Sequence, residues 1–194
     1  MPVALLAQAL ALATAAGVST YATVAVIGLA AQFGWIGDLP PALAGLTSWW
    51  IIGLAATLYL VEFLATLVPG VASAWETVHS TVRPLAGTAI AVATAWGADP
   101  VFTAVAGLLG GGLAFGTQAT KLGARVAIDA SPEPVTNGIA NVAEAGFVGT
   151  VVLLVWQHPY VSLTIALVTL LLVALLVRAL WKTIGRVFGR RTAG

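Results

Sequence analysis

Long apolar runs, punctuated by proline and glycine, set the pattern of the chain. They cover residues 2–36, 47–68, 85–98, 101–120, 135–156 and 161–181. Turn signals stand between or within them at Pro40-Pro41, Pro69-Gly70, Pro84, Asp99-Pro100, Pro132-x-Pro134 and His158-Pro159. A bilayer-crossing helix needs about 20 mostly apolar residues at about 1.5 Å rise. The runs therefore predict an all-α, polytopic membrane protein of about six transmembrane helices. The first run is too long for one straight helix. It fits a single broken or tilted span better than a re-entrant pair split near Gly17 with its start outside, because two full spans need about 40 residues plus a turn. The third run is short unless it begins near Thr77.

Composition agrees. Hydrophobic residues make up 60% and charged ones 8% of the 194 residues, and mean hydropathy is +1.02. Soluble domains carry roughly a quarter charged residues, so this surface faces lipid. A formal charge of +1 gives no basis for binding nucleic acid. The absence of cysteine excludes disulfides, thiolate metal sites and cysteine nucleophiles. The apolar start lacks a basic n-region and reads as the first span rather than a cleaved leader. A single transmembrane domain, residues 1–194, is expected, with halves 1–98 and 101–181 and a basic cytoplasmic tail, 182–194.

The charges supply direction. With the C-terminus in the cytoplasm, six spans threaded backwards bring Arg83, Lys121, Arg125, Arg178, Lys182, Arg186, Arg190 and Arg191 to the inner side. Asp38 and Asp99 fall outside. That is the positive-inside pattern, with both termini cytoplasmic. Arg178, Lys182, Arg186 and Arg190 recur every four residues, which suits a helix leaving the bilayer against anionic headgroups.

The two halves carry related stretches, Gly17-Val-Ser-Thr-Tyr-Ala-Thr23 and Ala114-Phe-Gly-Thr-Gln-Ala-Thr120, each followed by a span with one acid, Glu62 or Glu144. Three spans per half would set the halves in opposite orientations, an inverted repeat with broken first and fourth spans. A charged acid in hydrocarbon costs about 2.5–3.5 kcal/mol on insertion scales. Glu62 and Glu144 must therefore be protonated, paired or in a wet cavity, and a proton- or cation-handling pair is expected, with Tyr59 and Asn141 beside them. Ser19, Thr20, Thr117 and Thr120 lie where broken helices would expose N-termini for a polar group. Gly107, Gly110, Gly111, Gly112 and Gly116 admit that break and also close packing, because Gly107/Gly111 and Gly112/Gly116 have small-xxx-small spacing.

Two inner connections hold a second polar set. In residues 70–83, Val71, Trp75, Val78 and Val82 make an apolar stripe, while Glu76, His79 and Arg83 share another face at i+3 and i+4. This predicts an interfacial helix with a solvated polar face; a gate through His79 is the sharper alternative. Residues 121–137 contain Lys121, Arg125, Asp129 and Glu133, the last within Ser131-Pro-Glu-Pro134.

In order along the chain, Gly17-Val-Ser-Thr-Tyr-Ala-Thr23, Phe33-Gly34-Trp35, Leu58-Tyr-Leu-Val-Glu62-Phe63, Val68-Pro-Gly70, Trp75 with His79, Arg83-Pro-Leu-Ala-Gly87, Thr120-Lys121, Arg125 and Ser131-Pro-Glu-Pro134 with Asn137 resemble the bacterial membrane family labelled domain of unknown function 4126. The resemblance covers nearly the whole chain. It implies an integral membrane protein and no particular activity. Ala65-Thr66-Leu67 stands where the family often has charges, which leaves Glu62 without an ion partner there.

The expected function is transport of a small solute or ion, coupled to a proton or cation through the intramembrane glutamates. An oligomeric ion channel and a non-transporting scaffold are the alternatives. The two histidines fall on opposite sides, and no catalytic set or phosphate loop emerges, so neither an enzyme nor a cofactor is expected. The expected partners are the lipid bilayer of the bacterial inner membrane, a small solute or ion, and further copies of the chain.

Overall fold

A computed structural model describes residues 2–68, 70–129 and 134–189, and every regular element among them is helical. The order is α1 (Pro2–Val18), α2 (Thr20–Gln32), a 3-10 helix (Pro41–Thr47), α3 (Trp49–Ala65), α4 (Val71–Thr94), α5 (Pro100–Asp129), α6 (Pro134–Val155) and α7 (Pro159–Gly189). In α5, Pro100–Val126 is long and apolar enough to cross a membrane, as is Thr136–Val155 in α6. The 3-10 helix and α3 qualify together across a 72° bend. α1, α2 and Pro159–Leu172 of α7 are shorter apolar helices.

α1 is the hub. Ala7, Ala9, Leu12, Ala13, Thr14, Ala15, Ala16 and Gly17 are all buried, so no face of it is exposed along that stretch. A helix apolar on every side belongs inside a bundle, and α1 packs against α4, α5, α6 and α7. Its small side chains let neighbours approach closely. A Cβ on Gly17 would lie 2.7 Å from the Ala114 carbonyl oxygen, and Gly87 of α4 and Gly110 of α5 both press on Ala13.

The first apolar run is a hairpin, not one broken crossing. Pro2 and Leu5 lie beside Ala98, Asp99 and Phe102, at the α4–α5 turn. Gln8 donates to the Val155 carbonyl near the end of α6. The opposite end of α1 reaches Lys121, which donates to the Val18 carbonyl. The chain then turns at Ser19, and α2 runs back until Gly28 meets Leu46 and Ile52. The start of α1 and the end of α2 therefore share one end of the bundle, whereas α7 runs from that end to the other. The first apolar run is thus two helices reversing at Ser19 where a single broken span was expected. Apolar periodicity cannot distinguish a helix that continues from one that reverses after a single extended residue.

The fourth span is not broken. α5 runs unbroken for 30 residues, and Gly107, Gly110 and Gly111 seat Val92, Ala91 and Thr88 of α4 instead of opening the backbone. Gly112 and Gly116 meet nothing within 4 Å. The related stretches of the two halves are side by side, with Gly17 against Ala114 and Thr117, and the reversal at Ser19 has no counterpart in α5.

The predicted interfacial helix and the third span are also one helix. α4 continues through Pro84, and its orientation reverses the expectation. Val71, Val78 and Val82 are exposed, while Glu76 and Arg83 are fully buried and His79 nearly so. The same inversion recurs elsewhere beside the apolar core: Arg83 and Arg125 head the largest fully buried side chains, while Trp50 is 89% and Leu108 77% exposed. Water would favour the opposite arrangement; lipid makes it favourable. Phe33, Trp35, Trp49, Trp50, Trp96 and Tyr160 are exposed together at the end where α1 begins, as in an interfacial aromatic belt.

Candidate functional site

Near the opposite end from the aromatic residues, four helices turn charged side chains towards one another. α3 supplies Glu62, α4 supplies Glu76 and Arg83, α5 supplies Lys121 and Arg125, and α6 supplies Glu144. The three acids and three bases balance. A buried charge is tolerable only when paired and hydrogen-bonded, and the pairing here is dense. Arg83 Nη2 lies 2.5 Å from Glu62 Oε1, and Arg83 Nη1 donates to Glu76 and to Gln118. Gln118 Nε2 returns a bond to the Glu76 carbonyl at 2.9 Å. Lys121 Nζ is shared among Glu76 at 3.1 Å, Glu62 at 3.4 Å and Glu144 at 2.8 Å.

The hairpin tip closes this network. Breaking a helix leaves carbonyls at one end and N–H groups at the other without partners. Lys121 Nζ satisfies the Val18 carbonyl at 2.7 Å, placing a cation at the negative end of α1. Ser19 Oγ caps α2 by accepting from Ala22 N and donates to Glu62 Oε2 at 2.9 Å. Ser19 thus does what its residue type predicts for a broken helix. Thr20, Thr117 and Thr120 do not: each hydroxyl donates to the carbonyl four residues back, Thr117 and Thr120 within α5 and Thr20 across the break to Ala16 of α1.

α5 and α6 scarcely touch along their described backbones; side chains tie them. Arg125 Nη1 donates to Asn137 Oδ1 at 3.0 Å, and Nη2 to Glu144 Oε1 at 2.9 Å and to Asn141. Asn141 Nδ2 donates in turn to the Phe63 carbonyl at 3.0 Å. Arg125 Nε and Asn137 Nδ2 are buried without an acceptor among the described residues. Above this tie lies a cavity of about 340 Å3 between α1, α5, α6 and α7. Lys121, Arg125 and Glu144 line it together with Thr14, Thr117, Thr120, Phe147 and Ala166, and the surface these residues present is almost wholly apolar. Glu144, with a side chain 23% exposed, is the least buried member of the network.

The two acids are therefore brought together, through Lys121, but neither is an unpaired carboxylate. Glu62 has Arg83 and Lys121 in place of the ion partner its neighbours in sequence lack. Glu76, Arg83, Lys121 and Arg125, expected as a second polar set, are joined with both acids in one network. His79 stands at its edge: its Nδ1 lies 2.8 Å from the Trp75 carbonyl, which can only accept, and its Nε2 lies 3.1 Å from the Tyr21 hydroxyl. Tyr59 packs edge-on to Phe63. The side chain of Asp129, and Glu133, lie outside the described residues. Gln118 and Tyr21 are the members that sequence reasoning missed; a lone glutamine in an apolar helix was the available signal. No group of His, Asp or Glu among the described residues is placed to hold a metal ion.

Fold and site together define a class: an all-helical protein with helices of membrane-crossing length, apolar outside and charged within. The chain belongs to the family described as Domain of unknown function (DUF4126), whose model matches residues 6–179. No curated protein and no solved structure matches it.

Proposed function

We propose that this is a multi-pass inner-membrane transport protein for a small solute. In this reading α3 to α7 cross the bilayer, the α1–α2 hairpin enters from the outer side, and the charged end of the bundle faces the cytoplasm. The basic residues then remain inside, and the exposed aromatic residues lie at the outer interface. The carrying observation is the hairpin tip. Helix ends that stop within a bundle, satisfied by a lysine and a serine that also hold the charge network, beside a cavity with three ionisable groups, are the elements from which secondary transporters build binding sites. Glu144 is the acid that handles the coupling proton, because among the three glutamates of the network it is the one that lines the cavity; Glu62 holds the network together.

The test is flux into proteoliposomes under a pH gradient, with wild type and Glu144→Gln. Loss of flux in the folded variant supports the reading. Absence of flux for wild type across ions and organic anions would leave a scaffold role, and single-channel currents would indicate a channel. The scaffold reading loses part of its motive here, because Gly107, Gly110 and Gly111 pack within the chain.

A further inference from the structure

We infer that the cavity between α1, α5, α6 and α7 binds an amphiphilic acid, a carboxylate on a short hydrocarbon chain, and takes up a proton with it. The inference deepens the transport reading by naming the ligand class. Three observations carry it.

The first is the wall. Thr14, Thr117 and Thr120 donate their hydroxyl protons to Leu10, Leu113 and Gly116 of their own helices. With Val18, Phe147 and Ala166 they leave a surface that offers a ligand little polar contact. A sugar or amino acid would lose water there without replacement; a hydrocarbon chain would not. At the roughly 30 Å3 that a water occupies, the space holds on the order of ten non-hydrogen atoms.

The second is the set of charged residues that line it. Arg83 faces two carboxylates and Lys121 three, whereas Arg125 has one carboxylate, Glu144, and two amide oxygens. Arg125 is 1% exposed, lines the cavity, and keeps an Nε–H with no acceptor among the described residues, as does Asn137 Nδ2 nearby. A planar guanidinium fork with donors to spare matches a second carboxylate.

The third is charge balance. The network is neutral, and an added anion would leave one uncompensated charge in a buried site. If the ligand carboxylate replaces Glu144 on Arg125 and Glu144 takes a proton, the site stays neutral. Glu144 is faced by Lys121 and Arg125 from α5, with Tyr59 and Glu62 of α3 and Arg83 of α4 behind them. The cavity-lining residues of α1 and α7, Thr14, Val18, Ala166, Thr169 and Leu170, bring no titratable group.

The test uses full-length protein in nanodiscs with a diazirine-bearing decanoic acid. Photolabelling is expected on cavity residues of α5, α6 and α7 and to be competed by octanoate, but not by octanol or octylamine. Octanoate affinity should fall up to tenfold per pH unit as pH rises, as one linked proton requires. Arg125→Gln should cut labelling at least tenfold. Ala143→Trp, a substitution at an exposed position lining the cavity, should do the same without touching a charge. If Arg125→Gln does not fold, Ala143→Trp decides. Labelling spread over the lipid-facing surface, equal competition by octanol, no pH dependence, or no effect of Ala143→Trp would each overturn the inference. Native mass spectrometry separates the sources: a retained lipid or fatty acid displaced by octanoate marks a membrane amphiphile, and octanoate binding to lipid-free protein marks a soluble acid. Binding without flux would retire the transport reading alone; flux without labelling would retire the ligand class alone.

Discussion

Replacing Arg83 by methionine removes the guanidinium that bridges Glu62, Glu76 and Gln118 while preserving an unbranched side chain of similar reach. Glu62 and Glu76 remain buried at 3% and 0% exposure, with only Lys121, at 3.4 and 3.1 Å, left to balance them as an ion partner. Removing one partner of a buried ion pair costs about 3–5 kcal/mol, chiefly because the other charge stays behind. That is a large fraction of the roughly 5–15 kcal/mol that holds a domain folded. Replacing both partners by apolar groups is often nearly neutral, so Arg83→Met/Glu76→Leu should regain at least half of the loss. Reversible unfolding in mixed SDS micelles, followed by tryptophan fluorescence, measures both variants. A cost for Arg83→Met below about 1 kcal/mol would refute the reasoning. So would effects that add within the roughly 0.5 kcal/mol typical of independent sites, because the network demands coupling.

Ser19→Ala removes both the cap on α2 and a bond to Glu62; a loss of about 1–2 kcal/mol is expected in the same assay, and an unchanged midpoint would argue against the hairpin tip as drawn. Gly87→Val forces a side chain into Ala114 and the Ala13 carbonyl, costing about 1–3 kcal/mol or more, whereas Gly112→Ala meets open space and should be tolerated; equal effects would contradict the α4–α5 contact. The chain has no cysteine, so single cysteines report topology cleanly. Asp38→Cys and Asp99→Cys should react with an impermeant maleimide in intact cells, as should Val3→Cys near the start of α1, while Lys182→Cys should react only after permeabilisation. Protection of the residue-3 cysteine in intact cells would restore the single-crossing reading.

The membrane class was legible because lipid selects for composition, and composition survives ignorance of the fold. Glu62 and Glu144 were legible for the same reason, as acids in apolar runs. The orientation of α4 was not. Its sequence shows two faces but does not say which solvent surrounds it, and the rule that sends valine inward in water sends it outward in lipid. Reading Glu76, His79 and Arg83 as one face at i+3 and i+4 was correct; reading that face as wet was not. Beyond Glu76 on its own helix, the partners of Arg83 come from two other helices, α3 and α5, and no local spacing records such contacts. The reversal at Ser19 was hidden too, because one extended residue decides it.

The inverted polarity of α4 has a consequence for how the protein is made. A helix carrying Glu76, His79 and Arg83 leaves the ribosome before Gln118 and Lys121 exist to neutralise it. On insertion scales, charged residues near the middle of a span each cost about 2.5–3.5 kcal/mol. If α4 crosses the bilayer as proposed, it should stay at the membrane surface alone and cross only once α5 can accompany it. At about 5–20 residues per second, synthesis of the next 40 residues leaves α4 waiting for some seconds. Chains truncated after residue 98 and released from the ribosome should leave a cysteine after α4 untranslocated, and released chains truncated after residue 130 should translocate the same site at the α4–α5 turn.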